Sequence, residues 1–175
     1  LIFFDIKSGV FMKIKCFIFI LLGFLFFNAS TTFTADSKAI EYYKLGEKCV
    51  IIKDYVSAEK YFIKAIEAFK QTGEKPPLSL YHEYLDLLYE RLKKYDITLK
   101  IADEALLIYN EDPDLYRYKA YALGDLKRYV ECLGNYDKAI ELQKRAGKPV
   151  PYYFFTGAGY TAKKVNPEKA LQYFL

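Results

Sequence analysis

The residues whose spacing best suggests chemistry form the run GAGYTA at positions 157–162. This run matches the G-x-G-x-x-A fingerprint, in which glycines let a dinucleotide pyrophosphate approach the backbone at the start of a helix. Such a site also needs a surrounding βαβ unit, and the residues that precede the run have helical patterns instead. We therefore interpret Gly157 and Ala158 as small residues at a contact between helices, and we predict no cofactor.

The other reactive residue types do not form a recognisable site. His82 is the only histidine, and a lone histidine provides neither a metal cluster nor a triad. Glu111 and Asp112 directly precede Pro113, in a predicted turn where both carboxylates would be solvated. The sequence therefore predicts no catalytic residue, no metal ligand and no enzyme, and His82 is expected to be a partly buried packing residue.

Composition limits the classes of function further. Apolar residues make up 53% of the 175 residues, which is enough for a packed core. The 26 basic and 22 acidic residues leave a net charge of only +4, too balanced for a nucleic-acid-binding surface. The 18 tyrosines and 14 phenylalanines recur at helical spacing, which favours a core over a base-stacking surface.

The N-terminal sequence predicts export. Residues 1–11 precede Met12, the first methionine, and are interpreted as lying upstream of the true start. From Met12 a basic MKIK is followed by the apolar run CFIFILLGFLFF and then by small polar residues. Residues 12–35 are thus either a signal peptide, cleaved between Ala29 and Ala35, or a retained membrane anchor. Either alternative predicts an exported protein of the periplasm, cell envelope or extracellular space, with membrane contact only through an uncleaved N-terminal segment.

One helix-like phrase recurs along the rest of the chain. YFIKAIEAF at 61–69 is echoed by NYDKAIELQ at 135–143, with a looser copy around Ala105. The central alanines Ala65, Ala105 and Ala139 lie 40 and 34 residues apart. Spacing of this kind indicates stacked pairs of helices, and the second helices are predicted to begin near Tyr55, Tyr95 and Tyr129. Basic residues precede each start and are expected in the last turn of the preceding helix: Lys53, Lys93, Lys94, Lys127 and Arg128.

The first unit resembles the tetratricopeptide repeat, whose pattern is aromatic-x2-Leu-Gly-x2-Tyr followed by Ala-x3-Phe. It reads Tyr42-x2-Leu45-Gly46-x2-Cys49 and then Ala58-x3-Phe62-x2-Ala65. The first helices of the later units read His82-x2-Leu85-Asp86-x2-Tyr89, Tyr116-x2-Lys119-Ala120-x2-Leu123 and Phe154-x2-Gly157-Ala158-x2-Thr161. Asp86 departs from the expected small residue, and Lys119 departs from the expected leucine.

The resemblance implies an all-α fold, with tandem helix-turn-helix repeats stacked as a right-handed superhelical α-solenoid. The array covers residues 38–175, in units of about 39–72, 79–112, 113–146 and a truncated 151–175. Longer loops are predicted at QTGEKPP (71–77) and GKPVP (147–151). Cys49 and Cys132 then lie two stacking steps apart, about 20 Å. This separation is too great for a disulfide, so both are interpreted as buried small residues.

In the family that this chain resembles, the first helix of each unit lines a concave groove that binds peptides or partner proteins. The corresponding groove residues here are Tyr43, Glu47, Glu83, Leu87, Arg117, Tyr121 and Phe155. Some members bind acidic chaperone tails through a lysine and asparagine clamp, but Tyr43 and Glu47 stand where the first clamp pair would be. The resemblance therefore implies a non-enzymatic exported scaffold with a protein or peptide partner and no nucleic acid. The alternatives are a docking arm for a catalytic domain beyond residue 175 and, less favoured, an extracellular factor acting on another cell.

Overall fold

The computed structural model describes residues 38–174, and these residues are almost entirely helical. The predicted upstream segment, the signal peptide or anchor, and Leu175 lie outside the described residues. Residues 38–51 are helical (α1), and the helices that follow are α2 (Tyr55–Thr72), α3 (Leu78–Asp86), α4 (Tyr95–Leu106), α5 (Pro113–Asp125), α6 (Tyr129–Arg145), α7 (Tyr152–Val165) and α8 (Pro167–Phe174). A π-helical turn, Leu87–Arg91, continues α3.

The prediction of an all-α solenoid is confirmed, since residues 38–174 contain helices and no strand. The helices pair as α1 with α2, α3 with α4, α5 with α6 and α7 with α8, and each pair stacks on the next. The helices α2, α4 and α6 begin at Tyr55, Tyr95 and Tyr129, as predicted. Loops connect the units at both predicted places, between Thr72 and Leu78 and between Arg145 and Tyr152, but they are not longer than the loop between Leu106 and Pro113. None of the helices within 38–174 is both long enough and apolar enough to cross a bilayer.

Helix starts follow from local capping. The Oδ1 of Asp54 accepts a hydrogen bond of 3.1 Å from the backbone N–H of Ser57 at the start of α2. Asp112 does the same for Leu115, at 2.9 Å, and Pro113 occupies the first turn of α5. These side chains satisfy backbone N–H groups that have no partner inside the helix, and proline has no N–H to satisfy.

The lysines before the second helices differ from the expectation. Lys53, Lys93 and Lys127 lie between helices, in left-handed backbone conformation with φ values of 63°, 54° and 61°. They form the turn itself and are not part of the last turn of the preceding helix. Three units therefore reverse direction through the same conformation, and each does so with a lysine.

The second unit differs from the predicted register by one residue. In the first and third units, the hydrogen bond that closes the turn reaches five residues back, from Asp54 to Cys49 and from Arg128 to Leu123. In the second unit, the N–H of Lys94 reaches six residues back, to Leu88. The π-helical turn holds the extra residue, because its N–H groups bond to carbonyls five residues earlier, as Leu92 does to Leu87.

This shift explains why Asp86 departed from the pattern. The residue that matches Gly46 and Ala120 is Leu85, which is fully buried, while Asp86 is exposed. The core side chains of α3 are accordingly Tyr81, Tyr84, Leu85 and Leu88, all buried. The motif in this unit begins at Tyr81, one residue before His82.

Close approaches between helices depend on glycine. A Cβ placed on Gly46 would lie 2.5 Å from the Phe62 ring, inside van der Waals contact, so α1 and α2 meet at this point. Gly157 stands in the middle of α7, and a Cβ there would overlap the Tyr136 side chain of α6. Ala158 is fully buried beside it. The GAGYTA run therefore lies within a helix, and its first two residues occupy a contact between helices, as interpreted from the sequence.

The core runs through the array as two buried clusters. The first is centred on Phe62, Tyr81 and Tyr84, and the second on Tyr136 and Phe154. Tyr121 packs against both clusters and joins them. Because each cluster takes side chains from adjacent helix pairs, the apolar face of one pair is buried by its neighbours.

Candidate partner-binding groove

The first helices of the units contact one another along one side of the array, which we call the inner face. The Tyr43 hydroxyl of α1 donates a hydrogen bond of 2.7 Å to Oε1 of Glu83 on α3. The Tyr118 hydroxyl of α5 approaches Oδ1 of Asp86 at 3.5 Å. Arg117 of α5 reaches the ring of Tyr153 on α7, at 5.6 Å from the ring centroid.

A cavity of about 270 Å³ opens on the inner face where α1, α3 and α5 meet. Val50, Leu87 and Tyr118 supply its apolar and aromatic surface, and the remaining lining residues are His82, Glu83, Asp86 and Arg91. Its volume lies just below the range of about 300–1,000 Å³ that is usual for small-molecule sites. The size suits one or two side chains of a partner better than a whole small ligand.

Carboxylates dominate the charge at this cavity. Burial raises the pKa of Glu83, the hydrogen bond from Tyr43 lowers it, and the neighbouring charge of Glu47 raises it further, with a net upward shift. Burial is also the main cause that raises the pKa of Tyr43 to about 12. Glu83 therefore lies where a negative charge is only partly solvated and has another carboxylate close by.

His82 is half-buried, as the sequence suggested, and links the second unit to the third. Its Nε2 lies 2.9 Å from Oδ1 of Asp112, the residue that caps α5. Burial opposes ionisation of Asp112, but the hydrogen bonds from His82 and from the Leu115 N–H hold its pKa below the usual value. Asp112 is thus a structural carboxylate, and it is less solvated than its place in a turn suggested.

Arg117 and Tyr121, both predicted groove residues, belong to an aromatic stack beside the cavity. The Arg117 guanidinium lies 4.2 Å from the Tyr118 ring centroid and 5.1 Å from that of Tyr121. Its Nε donates a hydrogen bond of 2.8 Å to Asp114. Cation–π contacts of this kind hold the guanidinium in a fixed plane, so Arg117 forms a rigid wall of the groove.

The predicted groove residues thus fall into three places. Glu83 and Leu87 line the cavity, with Tyr43 and Glu47 at its edge. Arg117 and Tyr121 form the adjoining stack. Phe155 packs against the second core cluster, where the Lys144 ammonium of α6 lies 5.8 Å from its ring centroid.

The prediction missed Asp86, Arg91, Tyr118 and Tyr153. The sequence placed Asp86 at a helix contact because the motif of the second unit was counted back from Tyr95. The π-helical turn adds one residue to that count, so the motif begins one residue earlier. A second pattern in the same stretch, Tyr81-x2-Tyr84-Leu85-x2-Leu88, has no charged residue at a core position. The lack of a charged residue at its core positions could have favoured this pattern over the one that begins at His82. In this register, His82 and Asp86 correspond to Tyr43 and Glu47 of the first unit.

The carboxylates at the cavity have different partners from those in the ion pairs between units. Ammonium groups join neighbouring units by pairing Lys94 with Glu59 at 2.6 Å, Lys119 with Asp103 at 2.6 Å, and Lys169 with Asp137 at 2.9 Å. At the cavity, the neighbours of Glu83 and Asp86 are instead the hydroxyls of Tyr43 and Tyr118. A phenol donates a hydrogen bond but does not neutralise the charge.

Cys49 and Cys132 are both free thiols, as their predicted separation implied. Cys132 is buried on α6, where its Sγ lies 3.3 Å from Oγ1 of Thr161, and burial raises the pKa of its thiol. Cys49 is half-buried against the first core cluster. A thiol that is buried and protonated is a poor nucleophile, so Cys132 acts as a packing residue.

Comparison with known proteins identifies the fold and no sequence family. No family model matches the chain, and no curated protein matches its sequence. Among solved structures, MamA from Desulfovibrio magneticus RS-1 aligns with a TM-score of 0.65 at 15% identity, over 78% of this chain and 71% of MamA. YrrB, described as a TPR protein with an unusual peptide-binding site, aligns with a TM-score of 0.63 at 22% identity, over 87% of this chain and 77% of YrrB.

The first TPR of Spaghetti (RPAP3), solved with the HSP90 peptide SRMEEVD, aligns with a TM-score of 0.63 at 17% identity, over 74% of this chain and 94% of that one. At these identities the likeness establishes the path of the backbone alone. The eight helices of residues 38–174, paired and stacked as hairpins, have the fold of tetratricopeptide repeat proteins.

Proposed function

We propose that this chain is a non-enzymatic scaffold that binds a peptide segment of a partner protein along its inner face. The observation that carries the proposal is the cavity between α1, α3 and α5, where three successive units each contribute side chains to one concave surface. Solenoids of helical hairpins use such surfaces for binding.

The chemistry of the inner face supports a peptide ligand. Tyr118 lines the cavity, and Arg117 and Tyr121 stand beside it in fixed stacks. Tyrosine and arginine are the residues that most often anchor partner proteins, because they combine large apolar area with polar ends. Two structural neighbours, YrrB and the Spaghetti domain, are themselves described with peptide sites or peptide ligands.

We further propose that the protein is exported, on the strength of the basic and apolar pattern between Met12 and Ala35. Sequencing the N-terminus of the protein recovered from the cell envelope or the medium tests this part. A start between Ala29 and Ala35 is expected for a cleaved signal. A mature protein that begins at Met12 would rule out the cleaved signal, and recovery from the cytoplasm would refute export.

Binding is tested with the full-length chain on an array of random peptides. In the variant Asp86→Trp, a large side chain occupies the cavity from an exposed position, and we expect it to weaken peptide retention by about tenfold or more. The matched control is Glu141→Trp, an exposed position on α6 away from the cavity. Peptide retention that is absent in the wild-type protein, or equal in the two variants, would refute the proposal.

A further inference from the structure

We infer that the inner-face cavity accepts a basic side chain, an arginine or lysine, of the bound peptide. This inference rests on the proposed function and adds to it the chemical class of the partner segment. It is derived from the imbalance of charge around the cavity, from the way its carboxylates are satisfied and from the apolar surface between them.

Carboxylates outnumber cations at the cavity, and Arg117, the nearby arginine that lies 4.2 Å from the Tyr118 ring centroid, is already paired with Asp114. Glu83 and Asp86 line the cavity, and Glu47 lies close enough to Glu83 to act on its ionisation. Arg91 is the single arginine or lysine among the lining residues, and no ion pair within 38–174 joins it to Glu83 or Asp86. The fourth carboxylate, Asp112, already has His82 and a backbone N–H as partners.

The hydrogen bonds at the cavity leave its negative charge in place. Tyr43 donates to Glu83 at 2.7 Å, and the Tyr118 hydroxyl lies 3.5 Å from Asp86. The Tyr43 hydroxyl orients Glu83 and restricts its rotamers, and both carboxylates have further acceptor positions for a donor from outside. An oriented carboxylate that lacks a cation is the counterpart that a guanidinium or ammonium group requires.

The surface between the carboxylates suits the stem of the same side chain. Leu87, Val50 and the Tyr118 ring all line the cavity, and the methylene chain of arginine or lysine packs well on such apolar atoms. An acidic peptide would instead bring a further negative charge toward Glu47, Glu83 and Asp86, which costs free energy.

The test uses three peptide arrays that are identical except for a central arginine, glutamine or glutamate, probed with the labelled full-length chain. We expect retention to be about tenfold higher on the arginine array than on the glutamine array, as for one added charge-assisted hydrogen bond. Retention on the glutamate array should be lowest.

Glu83→Gln keeps an oxygen for Tyr43 but removes the charge. In this variant, retention on the arginine array should fall close to retention on the glutamine array. Asp86→Asn, at an exposed position, provides a second variant whose fold is not in question. The control Glu141→Gln should leave the preference unchanged.

The possible outcomes separate the inference from the function on which it rests. Equal retention on the three arrays, or a preference for glutamate, overturns the inference while peptide binding stands. An arginine preference that persists in both Glu83→Gln and Asp86→Asn also overturns it, because the basic side chain must then bind elsewhere. Retention on none of the arrays refutes the proposed function together with the inference.

Discussion

The hydroxyl of Tyr43 lies 2.7 Å from Oε1 of Glu83, a residue that follows it by 40 positions in the sequence. This hydrogen bond joins α1 to α3, so it holds the first two helix pairs together on the inner face. Its acceptor is also a lining residue of the cavity. The same contact therefore serves the stability of the array and the orientation of a carboxylate that a partner would meet.

Removing the Tyr43 hydroxyl should weaken the array. In Tyr43→Phe the ring is retained and one hydrogen bond to a partly buried carboxylate is lost, so the free energy of unfolding should fall by about 1–2 kcal/mol. Urea denaturation followed by circular dichroism measures the change. Tyr160→Phe is the control, since Tyr160 is 68% exposed and its ring contacts only Phe174 among the aromatic residues described. A Tyr43→Phe variant as stable as this control would contradict the structure.

Glu83 should make the stability of the array depend on pH. Its pKa is raised above the ordinary value of 4.5, first by burial. Just above that value, the folded protein retains a proton that the unfolded chain has released, so stability falls as pH rises through the interval between the two pKa values. Glu83→Gln removes this dependence. The free energy of unfolding of this variant, relative to wild type, should therefore rise between about pH 4 and about pH 7. Thermal unfolding at a series of pH values tests this, and a difference that stays constant or shrinks would show that the pKa is not raised.

Two glycine-to-alanine substitutions should change the free energy of unfolding in opposite directions. A Cβ on Gly46 would meet the Phe62 ring at 2.5 Å, so Gly46→Ala should destabilise the protein by about 1–3 kcal/mol through overpacking. Gly134 lies within α6 with nothing within 4 Å of the new Cβ. Gly134→Ala should therefore stabilise the protein by about 0.5–1 kcal/mol, the usual gain in helix propensity. Urea denaturation measures both changes, and a Gly46→Ala variant at least as stable as wild type would mean that α1 and α2 do not approach as described.

Two lysine-to-glycine substitutions, one in a left-handed turn and one within a helix, should also change the free energy of unfolding in opposite directions. Lys127 has φ of 61°, a conformation that costs a non-glycine residue about 1 kcal/mol. Lys127→Gly should relieve this cost and raise the free energy of unfolding by up to about 1 kcal/mol. Lys60 is exposed within α2, and Lys60→Gly should lower stability by about 1 kcal/mol. Chemical denaturation of the two variants checks the difference, and a loss of stability in both would argue against a left-handed turn at Lys127.

Much of the fold could be predicted because the same sequence pattern recurs in several units. The recurring alanines located the second helices, and Tyr55, Tyr95 and Tyr129 proved to be their first residues. Capping by Asp54 and the proline at 113 are local effects that need no distant contact. The positions of the loops after Thr72 and after Arg145 could be predicted for the same reason, since a glycine followed closely by proline favours the end of a helix.

The groove was harder to predict because its geometry depends on turns and on distant neighbours. Residue counting assumes a constant number of residues for each helical turn, and Leu87–Arg91 breaks that assumption. Asp86 consequently lies at the cavity, and not at the helix contact where the counting had placed it. The Arg117 stack could not be foreseen either, since Tyr153 reaches it from the next unit. The family resemblance predicted that the first helices line the groove, while tertiary contacts decide which of their side chains meet.

The π-helical turn at Leu87–Arg91 separates the length of a unit from the way its helices pack. The extra residue lies after the motif Tyr81-x2-Tyr84-Leu85-x2-Leu88 and before α4, which begins at Tyr95. Residues 81–88 therefore keep the register of their counterparts in α1, and His82 and Asp86 still line the cavity. One residue can thus be absorbed between two paired helices without changing which side chains the first helix presents to a ligand.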